Sequence, residues 1–107
     1  MTLNIKKLCV GAQSQNDLYL RQEYIRRKYK KTIHITRMYP KRFRELINGG
    51  SIYWVIKGKL CIRQKILNIE RFTDINNIKR CKFELDDDLR PYPDSDPLLL
   101  ELSGADL

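Results

Sequence analysis

Three strand-like segments follow one another in the second half of the chain, and they constrain the fold more than any other feature. The segment 51–57 (SIYWVIK) is rich in β-branched and aromatic residues, and Gly58 marks a tight turn before the segment 60–72 (LCIRQKILNIERF). The turn-forming residues TDINN at 73–77 lead into the segment 78–85 (IKRCKFEL). Short connections of this kind join antiparallel neighbours. We therefore predict a three-stranded antiparallel meander over residues 51–85.

The middle strand of the meander predicts two different faces, because successive side chains of a strand point to opposite sides. One face is mostly apolar and consists of Leu60, Ile62, Gln64 and Ile66. The other face changes from basic to apolar along its length and consists of Cys61, Arg63, Lys65, Leu67 and Ile69. Such a strand is suited to the rim of a sheet or barrel.

The first half of the chain alternates strands and helices. Residues 3–10 predict a strand that Gly11 closes, and Ser14 or Asn16 can cap a helix that extends to about Lys31. The alternating segment 32–38 (TIHITRM) predicts a second strand. Pro40 suits the first turn of a short helix, and Gly49-Gly50 are typical of its end.

Both predicted helices carry an apolar stripe that we expect to face the core. In the first helix the stripe comprises Leu18, Tyr24, Ile25 and Tyr29. In the second helix it comprises Phe43, Leu46 and Ile47.

The order of these elements predicts an α+β fold with a mostly antiparallel sheet, or a small half-open barrel, flanked by two helices. A chain of 107 residues has the size of one domain. We assign residues 1–85 to this domain. Residues 86–107, which begin with DDDLRPYPDSDP, are predicted to form an acidic, proline-containing tail of irregular structure.

Charge is distributed unevenly between the domain and the tail. Residues 1–82 contain 20 Lys+Arg and 5 Asp+Glu, whereas residues 83–107 contain one and eight. A basic body of this kind attracts polyanions by counterion release and electrostatic steering. Nucleic acid is therefore the first candidate partner, and an acidic protein is the second. A merely solvated basic surface, screened by the tail, is the remaining interpretation.

The segment 37–65 combines basic and aromatic side chains, which suits RNA or single-stranded DNA, where bases stack and phosphates pair with cations. The candidate nucleic-acid-binding residues are Arg37, Tyr39, Lys41, Arg42, Arg44, Tyr53, Lys57 and Arg63. Because Tyr53 and Trp54 are adjacent on a strand, they point to opposite faces. We expect Trp54 in the core and Tyr53 toward a pocket or the surface. Ordinary core packing of both aromatic residues is the alternative.

Motifs that carry chemistry are scarce in this sequence. It has no nucleophile elbow, P-loop or dinucleotide fingerprint, so we expect no cofactor. Cys9, Cys61 and Cys81 have no zinc-ligand spacing, and we expect them to be buried thiols rather than a metal site. The single histidine, His34, could act as a general base with Glu45 or Lys57, although a hydrogen-bonded structural histidine is the more common case. An enzyme acting on a nucleotide or modified base is thus the least favoured function.

Targeting segments are not evident in the sequence. No apolar run approaches the roughly 20 residues that a transmembrane helix needs, so we expect no membrane association. The N-terminal residues MTLNIKKLCVGAQSQNDL are too polar for a signal peptide. These features and the unpaired cysteines predict a cytoplasmic protein.

Several motifs in this order resemble a family of small alphaproteobacterial proteins known as domain of unknown function 1489. They are KLCVGA (7–12), HxTRMxPKR (34–42), ELxxGGSxYWVIKG (45–58), RQxIL (63–67) and RC (80–81). The resemblance covers about residues 3–85 and implies no known activity. Members of that family tend to be longer and carry a further aromatic block near the C-terminus, of which only RPYP (90–93) and ADL (105–107) are reminiscent here.

The order of elements is also similar to that of the small barrels that include the PUA and ASCH-type RNA-binding domains. This likeness concerns the fold and does not by itself determine function. It agrees with the basic and aromatic segment. The sequence therefore predicts an RNA-binding module, with docking of an acidic protein as the alternative.

Overall fold

A computed structural model of the protein describes residues 3–91, except for the side chains of Leu60 and Cys61. Two helices and six strands follow one another along these residues. Their bounds are β1 (Ile5–Leu8), α1 (Gln15–Tyr29), β2 (Thr32–Thr36), α2 (Phe43–Ile47), β3 (Ser51–Ile56), β4 (Lys59–Thr73), β5 (Lys79–Leu85) and β6 (Arg90–Pro91). Every strand and helix that the sequence predicts is present, with ends that differ by a few residues.

The strands form one strongly curled sheet, a half-barrel, in the order β1-β3-β4-β5-β2. β1 runs parallel to β3, and the other strand pairs are antiparallel. β1 and β2 form the two edges of the sheet, and α1, which connects them in sequence, packs against β2. The predicted α+β fold with a mostly antiparallel, half-open barrel and two helices is confirmed.

β4 is the long strand that joins the two parts of the half-barrel. Its first half pairs with β3 and its second half pairs with β5. A bulge interrupts the second pairing, since Ile66 lies opposite Leu85 while Asn68 already lies opposite Glu84. One extra residue in a strand reverses the facing of all later side chains.

The bulge overturns the predicted division of β4 into two regular faces. Ile66 and Ile69 are both buried, at 1% and 4% exposure, although they are an odd number of residues apart. The prediction that Ile69 shares a face with Arg63 is therefore wrong. Strict alternation of buried and exposed residues holds from Ile62 up to the extra residue, Leu67, which is exposed. Before Ile62 the pairing with β3 is also irregular, since Ile62 lies opposite Trp54 while Leu60 already lies opposite Val55.

β6 was not predicted from the sequence. Arg90 and Pro91 pair with Arg63 and Ile62 of β4, so β6 continues β5 along the same side of β4. The irregular structure predicted from residue 86 onward is thus interrupted by a short strand. The rest of the predicted tail, residues 92–107, lies outside the described residues.

Helix α1 begins as the sequence predicts but buries a different stripe. The hydroxyl of Ser14 caps it by accepting a hydrogen bond from the backbone N–H of Asp17 at 3.3 Å. Its buried residues are Leu18 and Gln22, whereas Tyr24 and Tyr29 are 66% and 50% exposed. The predicted burial of both tyrosines is wrong, because Gln22, one turn after Leu18, takes the central position of the buried stripe.

The two glycines after α2 have separate roles. Gly49 adopts φ +87°, the left-handed conformation typical of a helix end. Gly50 is buried between the backbone oxygens of Leu46 and Leu3, where a Cβ atom would collide with both. This close approach packs α2, through its fully buried Leu46, against the start of the sheet.

The interior of the half-barrel contains a fully paired polar cluster, which we call the Gln64 cluster: Gln22, Trp54, Gln64 and the backbone carbonyl of Asp86. The side-chain oxygen of Gln64 accepts hydrogen bonds from Gln22 at 2.8 Å and from the indole N–H of Trp54 at 3.0 Å. Its side-chain nitrogen donates to the oxygen of Gln22 and to the Asp86 carbonyl, both at 2.8 Å. These bonds explain why two glutamines are buried, and the predicted core position of Trp54 is confirmed.

Candidate nucleic-acid interface

A pocket of about 420 Å³ at one end of the half-barrel is surrounded by basic and aromatic side chains. We call it the basic pocket, and it is lined by Arg37, Tyr39, Arg71, Phe72, Thr73, Lys79 and Arg80. Strand pairing brings these distant residues together. The last residue of β2, Thr36, and the β4 residue Arg71 both lie opposite Cys81 of β5, one on each side.

Two cations and two aromatic rings form a stack beside this pocket. The guanidinium carbon of Arg71 lies 4.2 Å from the centre of the Tyr39 ring. The Tyr39 and Phe43 rings have centroids 4.9 Å apart and are tilted by 45°. The guanidinium carbon of Arg44 lies 5.6 Å from the centre of the Phe43 ring. These cation–π and ring contacts hold both arginines in place at the surface.

One carboxylate belongs to the rim of the basic pocket. Asp74, in the turn between β4 and β5, accepts a hydrogen bond from Arg80 at 3.0 Å and further bonds from the backbone N–H groups of Asn76 and Ile78. Those backbone bonds, led by Ile78, and the Arg80 side chain lower the pKa of Asp74. Asp74 therefore stabilises the turn and neutralises Arg80.

The other cations of the pocket keep their charge available. Within residues 3–91, no carboxylate forms an ion pair with Arg37, Arg71 or Lys79. Several like charges around one concave surface raise the local positive potential. The pocket is thus suited to an anion with a flat, stackable part.

Of the residues that the sequence suggests for nucleic-acid binding, Arg37 and Tyr39 line the basic pocket, and Arg44 belongs to the adjoining stack. Lys41 and Arg42 are exposed just before α2, and the guanidinium of Arg42 pairs with Glu45 at 2.7 Å. The hydrogen bond from Arg42 is the main cause of the lowered pKa of Glu45. Of these candidates, Arg37, Tyr39 and Arg44 therefore lie on one surface.

Three further candidates lie away from that surface. Lys57 is exposed in the turn between β3 and β4. Arg63 is exposed on β4, and its Nε donates to the hydroxyl of Ser51 at 3.1 Å. Tyr53 is only 8% exposed, so the expectation that it faces a pocket or the surface is wrong. The reason is that β3 is a central strand, with Lys6 of β1 on one side of Tyr53 and Arg63 of β4 on the other.

Sequence reasoning missed five of the seven residues that line the basic pocket, namely Arg71, Phe72, Thr73, Lys79 and Arg80. The available signal was the composition of the segment RFTDINNIKR (71–80), which places Arg71 and Phe72 before TDINN and Lys79 and Arg80 after it. An antiparallel hairpin brings such flanking residues together, as the pairing of Phe72 with Arg80 shows. The sequence predicts a turn at 73–77 between two strands, but the predicted binding residues do not include those that flank this turn.

His34 and Glu45, which the sequence suggests as an acid–base pair, do not interact. Glu45 is occupied by Arg42, whereas the Nε2 atom of His34 is buried and has no hydrogen-bond partner in the described part of the chain. The expectation of a hydrogen-bonded histidine is also wrong for this atom. Burial, together with the charges of Lys7 and Arg21, lowers the pKa of His34 to about 4.

The thiols and the metal-ligating side chains of residues 3–91 give no second candidate. Cys9 and Cys81 are buried free thiols, and burial raises the pKa of Cys81 to about 11. Residues 3–91 contain no group of three or more side chains placed to hold a metal ion. None of the described helices combines the length and apolarity needed to cross a membrane.

Fold and surface together define a class: a small α+β half-barrel with a basic, aromatic pocket at one end. The sequence matches the family described as "Protein of unknown function (DUF1489)" over residues 5–95. The chain therefore belongs to the DUF1489 family, as its motifs suggest. No curated protein and no solved structure matches the chain.

Proposed function

We propose that this protein binds single-stranded nucleic acid, RNA in preference to DNA, through the basic pocket and the adjoining face of α2. The observation that carries the proposal is the stack of Arg71, Tyr39, Phe43 and Arg44 beside a pocket in which Arg37 and Lys79 form no ion pair with a carboxylate of residues 3–91. Phosphates pair with exposed cations, and unpaired bases stack on aromatic rings or on guanidinium planes. Both kinds of group are present within one surface.

The roles of the individual residues follow from their surroundings. The inner face of the Arg71 guanidinium lies against Tyr39, so its outer face is the platform on which a base stacks. Arg37 and Lys79 take the flanking phosphates, and Arg44 extends the basic surface along α2. Single-stranded RNA is favoured over duplex DNA because its unstacked bases can reach such a platform.

The first experiment measures binding of a fluorescent oligouridylate by anisotropy between about 50 and 200 mM salt. The double variant Arg37→Gln/Lys79→Gln should weaken binding and reduce the slope of log K against log salt by about 1.4, since each single-strand phosphate contact contributes about 0.7. The control variant Lys6→Gln/Lys28→Gln removes the same charge from β1 and α1. Equal effects of the two double variants, or affinity that does not change with salt, would contradict the proposal.

A second experiment separates nucleic acid from an acidic protein as the occupant. Replacing Tyr39 by Leu keeps an apolar side chain against Phe43 but removes the ring under Arg71. We expect RNA affinity to fall roughly fivefold, because Arg71 loses the cation–π contact, worth about 1 kcal/mol, that holds its guanidinium in place as the stacking platform. Tyr24→Leu, at an exposed position of α1, is the matched control. An acidic polypeptide such as polyglutamate, bound more tightly than RNA and insensitive to Tyr39→Leu, would favour the protein partner.

A further inference from the structure

A second pocket, of about 240 Å³, lies between the two edges of the half-barrel. β1 and β2 do not pair with each other, and α1 lies beside the gap between them. We call this space the β1–β2 pocket. Its walls are largely apolar and include Leu18, Ile25, Ile33 and the ring of Trp54. It also contains the side chains of Lys7, Arg21 and His34.

His34 is held in this pocket by its ring and not by hydrogen bonds. Its ring meets Trp54 edge to face at 5.2 Å and Phe83 at 6.4 Å. The Nε2 atom is buried and unpaired within the described residues. Buried polar atoms in folded proteins are nearly always paired, and this one is enclosed by protein, so the pocket presents the His34 ring to a ligand and not its Nε2 atom.

Two cations share the pocket with this neutral imidazole. Arg21 approaches the sulfur of Cys9 at 3.7 Å, but burial raises the pKa of that thiol, so the sulfur does not neutralise the guanidinium. Burial lowers the pKa of Lys7. No ion pair joins Lys7 or Arg21 to a carboxylate within residues 3–91. An anion at this position would therefore complete the electrostatics of the pocket.

These groups specify two properties of a ligand. It needs a body that packs against apolar walls, which include the rings of Trp54 and His34, and a negative charge for Lys7 and the exposed Arg21. A simple inorganic anion would leave the walls uncovered, and an aliphatic acid would present no ring to the two aromatic side chains. A heteroaromatic base joined to a phosphate has both properties.

We infer that the β1–β2 pocket binds a nucleoside monophosphate, with the base toward His34 and Trp54 and the phosphate on Lys7 and Arg21. The site does not depend on the nucleic-acid surface proposed above, because a mononucleotide needs none of the residues of the basic pocket. The two pockets are nevertheless neighbours along the chain, since Thr36 borders one and Arg37 the other.

The test uses His34 as a reporter, because it is the only histidine of the chain. Nitrogen-15 NMR of the imidazole is recorded while AMP, CMP, GMP or UMP is added in turn, with adenosine and inorganic phosphate as probes of the base and the anion alone. We expect at least one monophosphate to shift the imidazole signals in a saturable manner. It should bind at least tenfold more tightly than either adenosine or phosphate.

The variants exploit the alternation of β1. Lys7→Gln should weaken nucleotide binding at least tenfold, whereas Lys6→Gln, which removes the same charge from the exposed face of the same strand, should have no effect. Arg21→Gln should act as Lys7→Gln does, with circular dichroism confirming that it is folded. The inference is overturned if no monophosphate shifts the imidazole, if phosphate alone binds as well, or if the two lysine variants behave alike.

The variant Arg37→Gln/Lys79→Gln separates this inference from the proposed function. It should lose affinity for oligouridylate while its affinity for the monophosphate is unchanged. Loss of both would show that the two pockets form one site and would contradict an independent nucleotide site. RNA binding that persists while every monophosphate fails to bind would leave the proposed function standing and remove this inference alone.

Discussion

The Gln64 cluster and the β1–β2 pocket share Gln22 and Trp54, but their buried polar groups are paired to different degrees. In the cluster, the indole N–H of Trp54 joins a network in which both polar atoms of the Gln64 amide make two hydrogen bonds. In the pocket, the Trp54 ring packs against His34, whose Nε2 has no partner among the described residues. Both regions are enclosed by the same half-barrel.

We interpret this difference as one between groups that stabilise the fold and groups that, in our inference, serve a ligand. A satisfied buried network fixes neighbouring strands and helices relative to each other, here β3, β4 and α1. An unpaired buried atom reduces stability, and so does the partial burial of Lys7, which forms no ion pair with a carboxylate of residues 3–91; proteins accept such costs mainly where a site needs them. The comparison predicts that replacing a polar residue by leucine lowers the free energy of unfolding in the Gln64 cluster and raises it in the β1–β2 pocket.

The largest effect is expected from Gln64→Leu. The substitution leaves the Gln22 amide, the Trp54 N–H and the Asp86 carbonyl without partners. Each unpaired buried group costs about 1–3 kcal/mol, so the free energy of unfolding should fall by about 4 kcal/mol after the apolar gain of leucine is included. Urea denaturation measures the change. A loss below about 1 kcal/mol would show that the cluster does not hold the sheet together.

Acidification should destabilise the protein through His34. Its pKa is lowered from 6.5 to about 4, and Lys7, Arg21 and the thiol of Cys9 are the titratable groups around it. Between these values the unfolded chain binds the proton more readily than the folded one. Stability is therefore complete above pH 6.5 and falls by roughly 3 kcal/mol as the pH falls to about 4.

The matching measurement compares the wild type with His34→Leu across the same pH range. The variant lacks the imidazole, so its stability should change much less between pH 6.5 and 4. The carboxylates with lowered pKa, Glu45 and Asp74, lose their contributions at lower pH and act equally in both proteins. Parallel pH curves would mean that His34 is not buried as described.

A smaller effect tests whether Gln22 and Gln64 act as one unit. In a double-mutant cycle with Gln22→Leu and Gln64→Leu, removing both partners should cost less than the sum of the single costs by about 2 kcal/mol. The cost of the pair does not vanish, because the Trp54 N–H still loses its acceptor. Strict additivity in urea denaturation would show that the two amides are not coupled.

The smallest effect, and the opposite sign, is expected from His34→Leu at pH 7.5. Replacing the imidazole by an apolar side chain removes an unpaired buried atom while keeping contact with Trp54 and Phe83. The free energy of unfolding should rise by about 1 kcal/mol. Phe83→Leu, at the neighbouring position of the core, is the control and should lower stability. Destabilisation by His34→Leu beyond about 1 kcal/mol would indicate that the imidazole stabilises the fold.

Most of the fold was predictable from local pattern. Alternation and turn residues located β2 to β5, and Ser14 located the start of α1. The bulge at Leu67 was not predictable, because it depends on the partner strand and not on the sequence of β4 alone. The burial of Gln22 depends in the same way on Gln64, a residue 42 positions later.

The candidate site was predictable only in part, for a similar reason. Arg37, Tyr39 and Arg44 lie in one basic segment that composition reveals. Arg71 and Lys79 reach the same surface through the pairing of β2, β4 and β5, which joins residues far apart in the chain. That the Nε2 atom of His34 has no partner within residues 3–91 is a property of packing, and no sequence pattern reports it.

The most direct test of the central claim is a titration of the isotopically labelled protein with a short oligouridylate, followed by NMR. The claim is that the surface along the end of β2 binds nucleic acid, whereas the Gln64 cluster serves the fold. We predict that signals of Arg37, Tyr39, Arg71 and Lys79 shift while the side-chain amide of Gln64 does not. Shifts confined to the Gln64 cluster and β6, or no shift at low salt, would contradict the account.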